Sequence, residues 1–283
     1  MKTTTGWLIP LTLLLALASR GNAQGAGGDL QRFQVPWSDP SRPGLLQIQL
    51  VNGGIEVEAY EGQEVLFEVS SESEPDEPNP KAQGMRRIPG ASFGVSVVEK
   101  DNVMTLDSSS WQSALNVKAR VPARSRLKLG TVNDGDISVR GVRGELELAN
   151  TNGEIEVRGA GAPVVAQTVN GDVTVIIAAL PAGGGAEPMA FSSLNGDIDV
   201  SLPPQTRASL RFDIGGHGEI YSDFEVALQD RAPEIREERR EGFTRIDVER
   251  AIWGTINGGG REILLKTFNG DVYLRKSGDG TRR

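Results

Sequence analysis

GDISVRGVR (135–143), GELELANTN (144–152), GEIEVRGAG (153–161), APVVAQTVN (162–170) and GDVTVIIAA (171–179) follow one another without a gap, and this nine-residue register decides the fold. Each unit opens on Gly135, Gly144, Gly153, Ala162 or Gly171. In four of the five an acid follows, then two apolar residues separated by one position. The apolar pairs are Ile137 and Val139, Leu146 and Leu148, Ile155 and Val157, Val164 and Ala166, Val173 and Val175. Alternation of period two makes a strand with one buried and one exposed face. Repetition at a short fixed interval means that successive units stack and bury one another.

The fullest pattern returns at Gly135, Gly153 and Gly171, which are 18 residues apart. Two short strands in that length suit one rung of a coil whose equivalent residues stack about 4.8 Å apart. The register predicts an all-β fold, a right-handed, single-stranded parallel β-solenoid (β-helix) with rungs of roughly 18 residues over 45–276. A left-handed coil of six-residue units has the same rung length, but it wants a small apolar residue every sixth position, and these side chains fit that less well.

Around this centre the chain is less regular. Residues 24–44, with Gly25, Gly27, Gly28, Pro36, Pro40 and Pro43, read as an extended lead-in. A first rung-like stretch covers 46–60 and a strand follows near 65–69. The stretch 72–92 holds Pro75, Pro78, Pro80 and Pro89 and cannot join a ladder, so it reads as an excursion. Residues 93–106 alternate on both sides of Glu99-Lys100-Asp101-Asn102, the pattern of a hairpin. Two more excursions are expected at 181–189 and 229–242, and the mixed charge run RAPEIREERRE (231–241) reads as a solvated loop rather than a short helix. The register resumes over 256–274, and 277–283 is a polar tail.

Residues 1–23 have the form of a secretory signal: Lys2, an apolar run over 7–18, and Gly21-Asn22-Ala23 as a small-x-small cleavage site. Export makes the location periplasmic, cell-surface or secreted. The run is too short to span a bilayer, and no later segment is apolar enough to be transmembrane. The chain has no cysteine, hence neither disulfides nor a lipid-bearing thiol. With 30 basic and 38 acidic residues its formal charge is −8, and cleavage after Ala23 takes it to about −10. That sign excludes nucleic acid as the expected partner, since phosphate recognition needs a basic surface.

The motif pieces VNGGIEV (51–57), TNGEIEV (151–157), VNGDVTV (169–175), LNGDIDV (194–200) and GGGREILLKTFNGDVYL (258–274) resemble a family of exported bacterial proteins described as putative adhesins, a domain of unknown function with a β-helix-like fold. The resemblance spans roughly residues 45–275. It implies a non-enzymatic, cell-surface or periplasmic protein that binds or scaffolds at the envelope, and it transfers no ligand or site residue.

Each candidate site has a structural and a functional reading. The Asn-Gly pairs at Asn52, Asn152, Asn170, Asn195, Asn257 and Asn269 form either an exposed amide ladder or, more simply, tight turns, and the expected structural turn glycines are Gly53, Gly135, Gly153, Gly171, Gly196 and Gly270. The acids after the turns, Asp136, Glu154 and Asp172, extended by Asp197 and Asp271, would stack along one edge. They read as a solvated row partly neutralised by Arg140 and Arg158, with cation binding as the alternative. They lack the Gly-Gly-x-Gly context of calcium-binding nonapeptide coils. The lone His217 has no Cys or second His beside it, so a metal centre is not expected, nor any cofactor. There is no G-x-S-x-G elbow, and GAGAP and GGGAEP lack the Lys of a phosphate loop.

The expected partner is an envelope protein or glycan. An enzyme is not expected, and the competing reading from another class is a carbohydrate-active β-helix lyase or hydrolase using two of the repeated acids. Against that reading, Trp37, Trp111 and Trp253 are scattered along the chain rather than gathered as a sugar platform. A third reading is a structural or regulatory envelope protein that docks another protein.

Overall fold

The structure is a computed structural model describing residues 30–72, 95–108, 114–133, 135–180, 187–215, 218–231, 234–240, 243–249 and 251–278. The signal-like segment 1–23, the Pro-rich stretch 73–94, Trp111, His217 and the tail from 279 lie outside these residues.

The nine-residue pattern becomes two facing sheets. One has ten strands, in spatial order β1 (Leu30–Pro36), β4 (Glu64–Glu72), β7 (Ala114–Pro122), β3 (Ile55–Tyr60) and β9 (Ile137–Arg140). It continues through β11 (Ile155–Ala160), β13 (Val173–Ile177), β15 (Ile198–Leu202), β23 (Val272–Lys276) and β17 (Ile220–Ser222). The other has eleven, beginning β18 (Ala227–Gln229), β21 (Ile252–Ile256), β16 (Ala208–Ile214), β22 (Arg261–Asn269), β14 (Met189–Asn195) and β12 (Val164–Asn170). It ends with β10 (Leu146–Asn150), β8 (Arg126–Thr131), β2 (Leu45–Gln49), β6 (Val103–Ser108) and β5 (Val95–Lys100). A separate two-stranded sheet pairs β19 (Glu234–Arg240) with β20 (Phe243–Glu249).

The expectation of a single-stranded parallel solenoid is overturned. Both large sheets are mixed: β1–β4, β4–β7, β5–β6, β16–β21 and β18–β21 are antiparallel. Spatial order also departs from chain order at both ends. The last strands, β22 and β23, slip between earlier ones, so that β22 pairs with β14 and β16 and β23 with β15 and β17. Connection length explains part of this. Asp101 and Asn102, with φ of 55° and 63°, close the β5–β6 hairpin, and a two-residue connection of that kind joins only antiparallel strands. The run 231–241, expected as a solvated loop, instead supplies β19 of the antiparallel pair.

Between these ends the strands are parallel and in register. Ile55, Ile137, Ile155, Val173, Ile198 and Val272 are successive partners on one sheet, all at most 2% exposed. Ile48, Leu129, Leu148, Ala166, Phe191, Leu265 and Phe212 do the same on the other. The large Phe191 stacks on the small Ala166, so that large and small side chains share the layer. The inward residues of the central strands are therefore the apolar pairs read from the register. The outward positions of the ten-stranded sheet carry charges instead: Glu56 contacts Lys118 and Arg140, Glu156 contacts Arg158, and Asp199 contacts Arg275. Among the described residues no helix is long and apolar enough to cross a membrane.

Candidate functional site: the Asn-Gly edge

The two sheets are joined along one side by the Asn-Gly turns, and three hydrogen-bond ladders run along that edge. The outermost is an amide ladder. Asn133 Nδ2 donates to Asn52 Oδ1 (3.1 Å), Asn152 to Asn133 (3.3 Å), Asn170 to Asn152 (2.7 Å), Asn195 to Asn170 (2.7 Å) and Asn269 to Asn195 (2.7 Å). Five of the six asparagines expected in Asn-Gly turns take part. Asn133, which precedes Asp134 rather than Gly, is a member outside the Asn-Gly motif. Asn257 stands apart: at φ 49° it bonds the carbonyls of Pro204 (3.0 Å) and Thr206 (2.7 Å).

The second ladder is buried, and no Asn-Gly motif marks it. Two residues before each ladder asparagine from Asn133 onward stands a small polar residue whose side chain donates to the turn-glycine carbonyl of the neighbouring strand. Thr131 reaches Gly53 (2.7 Å), Asn150 reaches Gly135 (2.9 Å), Thr168 reaches Gly153 (2.9 Å), Ser193 reaches Gly171 (2.8 Å) and Thr267 reaches Gly196 (2.9 Å). Each of these donors is buried, where an unpaired polar group is costly. The signal was present in the sequence as Thr, Ser or Asn at fixed phase, two before the Asn.

The same carbonyls explain the glycines. At Gly171, φ is 150° and a Cβ would lie 2.2 Å from Gly153 O; at Gly153, φ is 152° and a Cβ would lie 2.3 Å from Gly135 O. A side chain would meet both a disfavoured backbone and a backbone atom that cannot move alone.

The third ladder is the acidic row. Asp136 Oδ1 accepts from Glu154 N (2.8 Å), Asp172 Oδ1 from Asp197 N (2.8 Å), Asp197 Oδ1 from Asp271 N (2.8 Å) and Asp271 Oδ1 from Glu219 N (2.9 Å). Four of the five predicted acids thus hold the backbone of the next strand. Glu154 holds no such bond, and its carboxyl is pushed above the ordinary glutamate value by desolvation first, then by Asp136, Asp172 and Glu156. Arg140 and Arg158 do not neutralise the row as expected. Arg140 bonds Glu56 (3.0 Å) and Arg158 bonds Glu156 (2.5 Å) on the sheet face. Four residues of strand separate Asp136 from Arg140, about 13 Å, so the two sit at opposite ends of the strand. Among the described residues no group of three His, Cys, Asp or Glu side chains could hold a metal ion.

One outward residue lies between each ladder asparagine and the buried residue two before it, a polar donor in every strand but the first, where it is Leu50. In five of the six strands it is apolar and exposed: Val51 (51%), Val132 (42%), Val169 (37%), Leu194 (47%) and Phe268 (56%). Thr151 takes the sixth place.

No described protein family matches the chain, nor does any curated protein. Among solved structures it is similar to a putative cell adhesion protein from Clostridium sporogenes ATCC 15579, with 10% identity over 88% of this chain and 100% of that one and a TM-score of 0.42. It is similar also to a putative adhesin from Bacteroides fragilis NCTC 9343, with 12% identity over 88% of this chain and 97% of that one and a TM-score of 0.39. A putative adhesin from Parabacteroides merdae ATCC 43184 shares 11% identity over 87% of this chain and 96% of that one, with a TM-score of 0.27. These likenesses transfer no site residue.

Proposed function

We propose that the protein is a non-enzymatic binding or scaffold protein, exported to the bacterial envelope or beyond, that offers a stiff β surface to an envelope protein or glycan. The observation that carries this reading is the exposed row Val51, Val132, Val169, Leu194 and Phe268. Exposed apolar residues scattered singly need no explanation, but aligned ones do. Strands about 4.8 Å apart make this row about 24 Å long. Beside it the amide ladder keeps donors and acceptors at the same spacing, so the edge repeats one chemical unit along its length.

The test is binding of the purified protein to separated envelope protein and glycan fractions. Leu194→Ser with Phe268→Ser should lower capture without lowering the melting temperature; undiminished capture would sink the edge as the binding surface. Export has its own check, since N-terminal sequencing of the protein from a bacterial host should begin at Gln24.

The carbohydrate-active alternative has one point in its favour, the raised Glu154 carboxyl, because shifted carboxyls mark many active sites. Crowding in a structural row accounts for that shift, and the flanking Asp136 and Asp172 are both committed to backbone amides. Release of reducing ends from an envelope polysaccharide would reverse this assignment.

A further inference from the structure

On the side opposite the Asn-Gly turns, loops that connect the sheets enclose a cleft of about 290 Å³. Its walls come from residues 37–44, 60–62, 122–125 and Arg143. Backbone bonds fix these segments to one another: Arg143 N donates to Ala123 O (2.6 Å), Ser125 N to Pro122 O (2.9 Å) and Arg126 N to Gly44 O (2.8 Å). Two aromatic rings in the wall lie flat against glycines. A Cβ at Gly44 would come within 2.6 Å of the Trp37 ring, and one at Gly62 within 2.1 Å of the Tyr60 ring. Tyr60 is held further by its hydroxyl, which donates to Glu64 O (2.8 Å). The cleft is therefore built into the fold rather than formed by loose surface chains.

Its hydrogen-bonding character is one-sided. In a chain of net charge −8, three arginines line the cleft, Arg42, Arg124 and Arg143, against a single acid, Glu61. Arg42 is paired with Asp39, Nε to Oδ2 at 2.8 Å. Arg124 and Arg143 have no side-chain partner among the described residues. Arg124 and Arg143 are exposed, so their guanidiniums can meet an anion that enters the cleft.

We propose that this cleft binds a carboxylated sugar of the hexuronate type, its carboxylate held by Arg124 and Arg143. A guanidinium fork matches a carboxylate with two parallel hydrogen bonds. The half-buried Tyr60 ring with Pro43 and Pro122 supplies the apolar wall for the C–H groups of a sugar, and Glu61 accepts from sugar hydroxyls. The volume lies at the small end of ligand sites, the size of one or two sugar units. A bare phosphate would satisfy the arginines but leave the aromatic wall and Glu61 unused. The cleft lies across the molecule from the apolar row, so the two assignments stand or fall separately.

The experiment is calorimetric titration of the full chain with glucuronate, galacturonate, glucose and inorganic phosphate at one ionic strength. One of the hexuronates should bind at least about tenfold tighter than glucose and than phosphate, since only it meets both the forks and the wall. Arg124→Ala with Arg143→Ala should weaken it by about tenfold or more at unchanged melting temperature. In the unaltered protein, added salt should weaken hexuronate binding and leave glucose untouched. Hexuronates no tighter than glucose, phosphate as tight as hexuronate, or affinity indifferent to salt and to both substitutions would each overturn the proposal.

Discussion

On the Asn-Gly edge, Asn133, Asn152, Asn170 and Asn195 each give and take an amide bond, while Asp136, Asp172, Asp197 and Asp271 hold backbone amides of the next strand. On the opposite edge the exposed Arg124 and Arg143 have no side-chain partner among the described residues. The contrast teaches that repetition in a sequence marks groups that satisfy one another. A side chain recurring at fixed phase meets its own copy about 4.8 Å away, and that copy is the natural partner for its hydrogen bonds. The irregular edge has no such copies, so the two guanidiniums remain available to a ligand. The polar chemistry that catches the eye in the sequence is therefore structural, and the chemistry free to bind lies where no motif is visible.

The sharpest way to break this contrast is at the glycines of the regular edge. Gly171→Val puts a branched side chain at φ 150° with its Cβ 2.2 Å from Gly153 O. The expected loss is about 3 kcal/mol or more, a fall in melting temperature of roughly 6–12 °C for a domain of this size. Thr174→Ser, on the half-exposed face three residues on, should shift it by no more than about 1–2 °C. Equal effects would mean that the turn glycines are not the fixed points of this edge.

Next in size is the carboxylate relay. Asp172→Ala removes the acceptor for Asp197 N and should cost about 1.5 kcal/mol, whereas Asp172→Asn keeps an acceptor oxygen and should cost about half as much. If the row were a cation site instead, Asn would be nearly as damaging as Ala in calcium. Melting curves in calcium and magnesium at matched ionic strength should coincide. A calcium-selective rise of about 2.7 kcal/mol at a hundredfold excess over Kd, abolished by Asp172→Asn, would turn a structural ladder into a site. Smaller again is the amide ladder: Asn170→Ala breaks the bonds to Asn152 and from Asn195, both exposed, at about 1 kcal/mol in urea unfolding.

Legibility follows the same division. The apolar pairs from Ile137 to Val175 could be read directly, because inward direction depends only on local alternation. Which strands become neighbours could not. The insertion of β22 between β14 and β16 depends on how the chain travels through 215–260, and a nine-residue register says nothing about that route. The turn glycines and the acids were visible by phase, and so was the buried Thr131, Thr168, Ser193 and Thr267 series, although only bond geometry reveals its role. The cleft was invisible, because Trp37, Tyr60, Ser125 and Arg143 are brought together by the stacking of loops far apart in sequence.

The finest discrimination rests on Glu154, the one acid of the row without a backbone bond. Its folded carboxyl holds a proton more tightly than the unfolded one, because burial and the flanking Asp136 and Asp172 disfavour its charge. A raised folded value contributes stability that is fully present below the unfolded value and is lost as pH rises through the folded one. At neutral pH the ionised Glu154 therefore weighs against the fold, and Glu154→Gln should melt slightly higher than the parent. As pH falls past the ordinary glutamate range, near 4.5, the parent protonates and the two curves should converge. Glu154→Asp tests the other half of the argument, since it keeps the charge but matches the chain length of Asp136, Asp172 and Asp197. If the shorter side chain reaches Asp172 N as its neighbours reach theirs, this variant also melts higher at neutral pH, and its advantage too fades in acid as the carboxylate that accepts the bond is lost. A Gln variant that melts lower than the parent at neutral pH would show that the Glu154 charge has a favourable partner, and the row would then have to be reconsidered as a cation-binding edge.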